Sequence, residues 1–523
     1  MRSNKVVLIC LLALLLTVNS MAQTTNPLQI SGGRIVGAVD KEGVTAYLGI
    51  PYAKPPVGEL RWRPPQPAVP WEGVRKAEHF GASCMQPPVR SFLPWTEEFM
   101  NQDPVSEDCL FLNIWTVAKT DEKQPVLVFI HGGGFGGGSG SIVVYNGAKL
   151  AKKGAVVVNM NYRLGAFGFL VHPELTKESE HHSSGNYGLL DMIAALQWVK
   201  QNIAAFGGDA ARVTIFGQSA GAIAVIDLMQ SPLAKALFAR GIAQSDPRLF
   251  IKGPDNVLGS TNLEEREQDG VKFAESMGAH SIAELRAVPA GEFVKGDAFP
   301  TPGAKIRMYR GGPVIDGWVL TANQPAEEVP LMAGLVAGDV NMADGFAPQP
   351  PPTVANFEKY AQTNYGGMAD EFLKLYPAKR DDEVPAAKKA SREDQARVGL
   401  DVWSSTQQKR SSVIYTYFFD RAIPWPAHPE FGAFHTAEVP YIFETNKLLD
   451  RPWEPVDFRL ADFISSYWVN FAKSGDPNGS GLPNWPAYNA ESHTTMELGE
   501  HTGAMPEADP ARLKFLLEYL KKN

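Results

Sequence analysis

The chain has 523 residues, 44% of them hydrophobic and 20% charged, an ordinary globular balance. A net charge of −8, with no run of Lys or Arg, argues against nucleic acid as a partner. Length alone suggests about three domains, but one large α/β sheet with loop insertions can also reach this size.

In chain order, the first residues read as a secretory signal. Arg2 and Lys5 give a basic start, Val6 to Val18 is apolar, and Ser20-Met21-Ala22 is a small-x-small cleavage site. The apolar stretch is too short for a membrane span and no later segment reaches that length, so the mature protein is expected to be soluble. Residues 1–22 are assigned to the signal and 23–523 to a single domain, because no clean break in composition marks a second one. Cys10 falls in the signal, too far from the cleavage site to carry a lipid anchor. The remaining pair, Cys84 and Cys109, reads in an exported protein as one disulfide closing a surface loop.

Gly33 to Ile50 predicts one or two strands, and the Pro- and Arg-rich Pro51 to Pro70 an irregular surface segment. Glu107 to Trp115 begins a strand, and the apolar runs Pro125–Ile130 and Ala155–Met160 read as buried strands. Asn186 to Phe206 carries apolar residues at helical spacing, with Trp198 off the stripe and expected at its edge. Thr261 to Ala298 looks helical, Val329 to Val336 is a buried strand and Gly345 to Val354 a Pro-rich loop. Ser412 to Phe419 is a late strand, Val439 to Phe443 a strand-like run and Leu460 to Phe471 an amphipathic helix. Strands alternating with helices predict an α/β fold with a large, mostly parallel, buried central sheet.

The chemistry centres on Gly217-Gln218-Ser219-Ala220-Gly221, between the β-branched Val213-Thr214-Ile215 and an Ala-rich helical pattern. A G-x-S-x-G turn between a strand and a helix lifts the serine hydroxyl clear of the sheet. The two glycines are expected because strand and helix approach too closely for a Cβ. Upstream, His131 leads into a Gly-rich run to Gly140. Gly132, Gly134 and Gly137 fit a dinucleotide spacing, but β-branched residues follow where that fingerprint needs a helix. The run reads better as an oxyanion loop, whose backbone N–H groups converge on one oxygen.

A serine nucleophile needs a base, and the base needs an orienting carboxylate. The expected chain order of serine, acid, histidine leaves His428 and His435, between which spacing cannot choose. For the acid, Asp339 comes three residues after the predicted strand end at Val336 and Asp344 eight after. His181-His182 stands in a polar loop without a metal-binding pattern, so neither metal nor cofactor is expected.

Long stretches carry a family resemblance: GIPYAKPPVGELRWRPP (49–65), SEDCLFLNIW (106–115), HGGGFGGGSG (131–140), NYRLGAFGFL (161–170), residues 186–222 through the elbow, GAFHTAEVPYIF (432–443) and YWVNFAKSGDPN (467–478). The chain resembles the type-B carboxylesterase/lipase family, the cholinesterase-like branch of the α/β-hydrolase fold, over nearly its whole mature length. The resemblance implies Ser219 as nucleophile, His435 as general base, and Gly133, Gly134 and Ala220 as the three oxyanion donors. It also implies a Cys84–Cys109 disulfide and a structural ion pair of Arg61 with Glu107. The acid departs from the family pattern: an ungapped alignment from Val329 puts Asp339 where the family has Glu, whereas Asp344 requires an insertion. Gln218 stands where animal cholinesterases carry Glu, and Trp95 does not align with their choline-binding tryptophan.

The expected function is that of an exported serine carboxylesterase acting on a small-molecule ester, periplasmic or secreted, with no stable membrane insertion. A lipase acting on longer-chain esters is one alternative. A catalytically inactive binding relative is another, though such members usually lack the serine or histidine that this chain keeps. The acyl and alcohol pockets are expected from the variable stretches 92–99, 246–250 and 299–310.

Overall fold

The computed structural model describes residues 23–522 except 89–91, 247, 249–260, 296–308, 310, 322–327, 343–348 and 409–412. The signal segment, Asp344 and most of the 299–310 stretch therefore lie outside the described residues.

Twelve strands among the described residues form one sheet. In chain order they are β1 (Gln23–Thr24), β2 (Ala38–Val39), β3 (Thr45–Pro51), β4 (Phe111–Thr116), β5 (Gln124–Ile130), β6 (Val156–Met160), β7 (Gly208–Gln218), β8 (Arg240–Gln244), β9 (Leu331–Val336), β10 (Ile414–Phe419), β11 (Thr494–Leu498) and β12 (Gly503–Pro506). Their order across the sheet is β1-β2-β3-β4-β6-β5-β7-β8-β9-β10-β11-β12. The block from β6 through β11 is parallel, while β1 to β4 and β12 join antiparallel at the two sides. The sheet is thus mixed, with its parallel part at the centre.

Burial explains the apolar runs. Val126 to Ile130 and Val156 to Val158 are fully buried, as parallel strands covered on both faces require. The covering helices include α1 (Tyr187–Asn202), α2 (Ala220–Gln230), α3 (Val384–Gln408) and α4 (Pro455–Ser474), while α5 (Pro510–Lys522) packs on α3. Helix α2 is buried from Ala220 through Met229 with no polar stripe, the pattern of a helix enclosed by protein on all sides. Helices α1 and α2 touch each other and β7, and α4 packs against β5 and β7. The loop after β6 is tied to α1 by a buried ion pair, in which Arg163 Nε and Nη2 each reach Asp191 at 2.7 Å. Removing one partner of such a pair strands a charge in the interior, a loss of about 3–5 kcal/mol.

Three expectations change. The fourth strand starts at Phe111 rather than Glu107, because Ser106 Oγ accepts from Asp108 N and Cys109 O from Phe111 N, closing turns there. Val439 to Ile442 is a short helix, not a strand: Pro440 sits in its first turn and Tyr441 N donates to Glu438 O. Trp198 is buried rather than at the edge of its helix, with its ring centroid 6.0 Å from that of Phe206. The sequence reading also missed a satellite core, in which Val354–Tyr365, Ala369–Leu375, α3 and α5 enclose Phe357, Tyr365, Phe372, Tyr376 and Phe515. Helix α3 is rich in Lys, Arg, Glu and Asp, so its few apolar contacts leave only a faint periodic signal.

Candidate active site

The elbow is built by close approach. Strand β7 ends at Gln218, α2 begins at Ala220, and Ser219 between them holds φ +58° and ψ −124°. That positive φ is a strained region for a residue with a side chain. Ser219 N donates to Gln244 O at 2.8 Å, so the end of β8 fixes the strained residue. A Cβ at Gly217 would stand 2.4 Å from Gly221 O, and one at Gly221 would stand 2.0 Å from Ile130 O. Glycine at both positions is therefore steric necessity. Ser219 itself is only partly buried.

Asp339 and His435 come from the ends of the next two parallel strands but one. Asp339 opens the short helix Asp339–Met342 just beyond β9, and His435 lies on the long connection after β10. Gly338 N donates to Ala433 O at 2.7 Å, which ties the two loops together. His435 Nδ1 then meets Asp339 Oδ1 at 2.5 Å, and Asp339 Oδ2 accepts from Val336 N at 2.8 Å. Burial would lower the histidine pKa, but the Asp339 charge and the bond to it outweigh that and raise it above the ordinary value. The other histidine left open by spacing, His428, contacts Glu430 Oε1 at 3.1 Å on the surface. His493 pairs with Asp401 instead, and His181 stacks on Trp318 with ring centroids 3.8 Å apart.

The Gly-rich loop follows β5. Gly133 and Gly134 take φ +108° and +60°, and the N–H groups of Gly136 and Gly137 both donate to Gly133 O at 3.1 Å. Among the described residues, the N–H groups of Gly133, Gly134 and Ala220 make no backbone hydrogen bond. Gly133 and Gly134 are exposed, whereas Ala220 is buried at the N-terminus of α2.

The loop rests on side chains that the sequence reading gave no role. His131 is buried and stacked on Tyr162, with ring centroids 4.4 Å apart. Burial pushes its pKa down to about 4, so it is neutral at ordinary pH. Gln86 donates to Gly138 O at 2.8 Å and accepts from Gly138 N at 2.9 Å, so it pairs with the loop as a neighbouring strand would. Gln86 is itself held by the Cys84–Cys109 disulfide loop, through a bond from its Nε2 to Cys84 O. From the same loop, Trp95 Nε1 donates to Thr436 Oγ1 at 2.9 Å and its ring meets Phe434, flanking His435 on both sides in sequence. The Arg61–Glu107 ion pair forms at 2.7 Å at the base of this loop.

Among the described residues, no group of three or more His, Cys, Asp or Glu side chains is arranged to hold a metal ion, and no helix is long and apolar enough to cross a membrane.

Residues 24–515 match the carboxylesterase family. The chain is similar to the fumonisin B1 esterase of Sphingopyxis macrogoltabida, 35% identical over 504 residues that cover 92% of this chain and 88% of that protein. It is also similar to the para-nitrobenzyl esterase of Bacillus subtilis (strain 168), 32% identical over 494 residues that cover 89% of this chain and 93% of that protein. The chain belongs to the carboxylesterase family, has its α/β-hydrolase fold, and is a carboxylic ester hydrolase.

Proposed function

We propose that this carboxylesterase works through Ser219 as nucleophile, His435 as general base and Asp339 as the acid that orients it. The observation carrying this reading is the 2.5 Å contact between His435 Nδ1 and Asp339 Oδ1 on loops tied to the same end of the sheet as the elbow. With Nδ1–H donated to Asp339, the neutral ring presents a lone pair at Nε2. Ser219 attacks the ester carbonyl, and its proton passes to Nε2. The N–H groups of Gly133, Gly134 and Ala220 receive the oxyanion, each worth roughly 3–4 kcal/mol in the transition state. The alcohol leaves with the proton held on His435, giving an acyl-serine. Water, deprotonated by the same ring, then releases the acid and regenerates the serine. Asp suits the acid role because Asp339 is already fixed by Val336 N, so a side chain one methylene shorter than Glu still reaches the ring.

The substrates we assign are small organic esters of the kind named in the two relatives, rather than emulsified lipid. Residues 1–22 serve as an export signal and 23–523 as one catalytic domain, delivered to the periplasm or the medium. The Cys84–Cys109 disulfide supports an oxidising destination.

The test is turnover of p-nitrophenyl acetate, p-nitrobenzyl esters and fumonisin B1 by the wild-type chain and by Ser219→Ala. The variant should lose at least about 10⁴-fold in kcat and all labelling by a fluorophosphonate probe. A fully active variant would overturn the assignment.

A further inference from the structure

His435 sits inside a four-residue turn, Phe434 to Ala437, closed by the bond from Ala437 N to Phe434 O at 2.7 Å. Thr436, the third residue of that turn, holds φ +83°. A turn with a positive φ at its third position ordinarily carries glycine there, which has no Cβ to clash. For a β-branched residue the same conformation is strained. The residue just after the ring is therefore held in a conformation that its own side chain disfavours, and the hold must come from outside the turn.

It comes from the loop closed by Cys84 and Cys109. Trp95 Nε1 donates to Thr436 Oγ1 at 2.9 Å, across 341 positions of sequence. The acceptor belongs to the strained residue itself, so the bond fixes its rotamer and, through Cβ, its backbone. Thr436 is buried, which keeps water from replacing the indole. Trp95 is itself set in place, with its N–H donating to Phe92 O at 2.9 Å and its ring 5.0 Å from that of Phe92. On the other side of His435, Phe434 packs edge-on against Trp95 and Phe99, with ring centroids 6.3 and 5.7 Å apart. Ala433 O accepts from Gly338 N at 2.7 Å, tying the same segment to the acid loop. Those contacts hold the residues before the ring, and the Trp95 bond holds the residue after it.

We propose that Trp95 is a positioning residue for ester hydrolysis, whose indole N–H latches the strained Thr436 and thereby holds His435 in the geometry that takes the serine proton. The inference rests on the role of general base given to His435 above. Without the latch, Thr436 relaxes toward negative φ and rotates the peptide that joins it to His435. The imidazole then leaves its 2.5 Å contact with Asp339. The role belongs to the N–H rather than to the ring, and it exists because position 436 carries a Cβ.

The experiment is steady-state kinetics on p-nitrophenyl acetate for the wild-type chain and four variants. Trp95→Phe keeps an aromatic ring and removes the N–H, and Thr436→Ala keeps a strained Cβ and removes the acceptor. Each should lose about tenfold in kcat with KM unchanged, as a misplaced base requires. Thr436→Gly removes the strain together with the acceptor and should stay within about threefold of wild type. Trp95→Phe added to Thr436→Gly should then cost no more than about twofold, because the latch has nothing left to hold.

Wild-type kcat in Trp95→Phe overturns the proposal. A loss that appears in KM at unchanged kcat does so too, since it would make Trp95 a wall of the substrate pocket. Additive losses in the double variant, or a loss of about tenfold in Thr436→Gly alone, also overturn it. Should the Trp95 variants fail to fold, Thr436→Ala and Thr436→Gly still decide. Both lack the acceptor and differ in the strain at a positive φ, so equal kcat in the two overturns the proposal. Failure of the triad reading is separate, since it would show as full turnover in His435→Ala, where Trp95 and Thr436 are unchanged.

Discussion

Gln218 Nε2 stands 3.1 Å from His435 Nε2, so the side chain just before the elbow serine faces the ring nitrogen turned away from Asp339. With Nδ1–H committed to Asp339, Nε2 of the neutral ring carries the lone pair that takes the serine proton, and the Gln218 amide nitrogen stands beside it. The group resting on the base is therefore neutral where animal cholinesterases place a carboxylate.

The consequence is a predicted pH shift. The base works only when neutral, so kcat/KM falls as pH drops through the His435 pKa. That pKa lies above the ordinary 6.5, because Asp339 outweighs burial. Gln218→Glu adds an anion against Nε2, favours the imidazolium, and should move the acid limb to still higher pH. An unmoved limb in the pH–rate profile would show that the contact does not act on the ring's charge.

Asp339→Asn keeps the shape of the acid but cannot hold the productive tautomer, and kcat should fall by about 10³–10⁴-fold. Asp344→Asn should stay close to wild type. Steady-state kinetics on one p-nitrophenyl ester decides between the two, and the reverse pattern moves the acid to Asp344.

Gly133→Ala places a Cβ 2.3 Å from Gly137 O at a φ of +108°. The Gly-rich turn must shift, and one oxyanion donor moves with it. A loss of about 10²–10³-fold in kcat with little change in KM is expected. Gly134, whose Cβ would meet nothing within 4 Å, should tolerate Ala better. Parallel kinetics on the two variants checks the ranking.

Removing the disulfide by Cys84→Ser with Cys109→Ser should cost about 2–4 kcal/mol in denaturant unfolding. Activity should fall as well, because Gln86 couples that loop to Gly138. Gln86→Leu separates the two effects: kcat should drop at nearly unchanged chain-closure stability. Equal kcat in Gln86→Leu and wild type would break the proposed link.

The sequence by itself determined what depends on neighbours in the chain. The elbow was legible because Gly217, Ser219 and Gly221 must be adjacent for strand and helix to meet, and the steric gaps of 2.4 and 2.0 Å are the physical content of that motif. The buried parallel strands were legible because continuous apolar runs are needed when both faces are covered. What spacing left open was decided by long-range contact. Only the fold brings Asp339 to His435 across 96 positions while His428 finds Glu430.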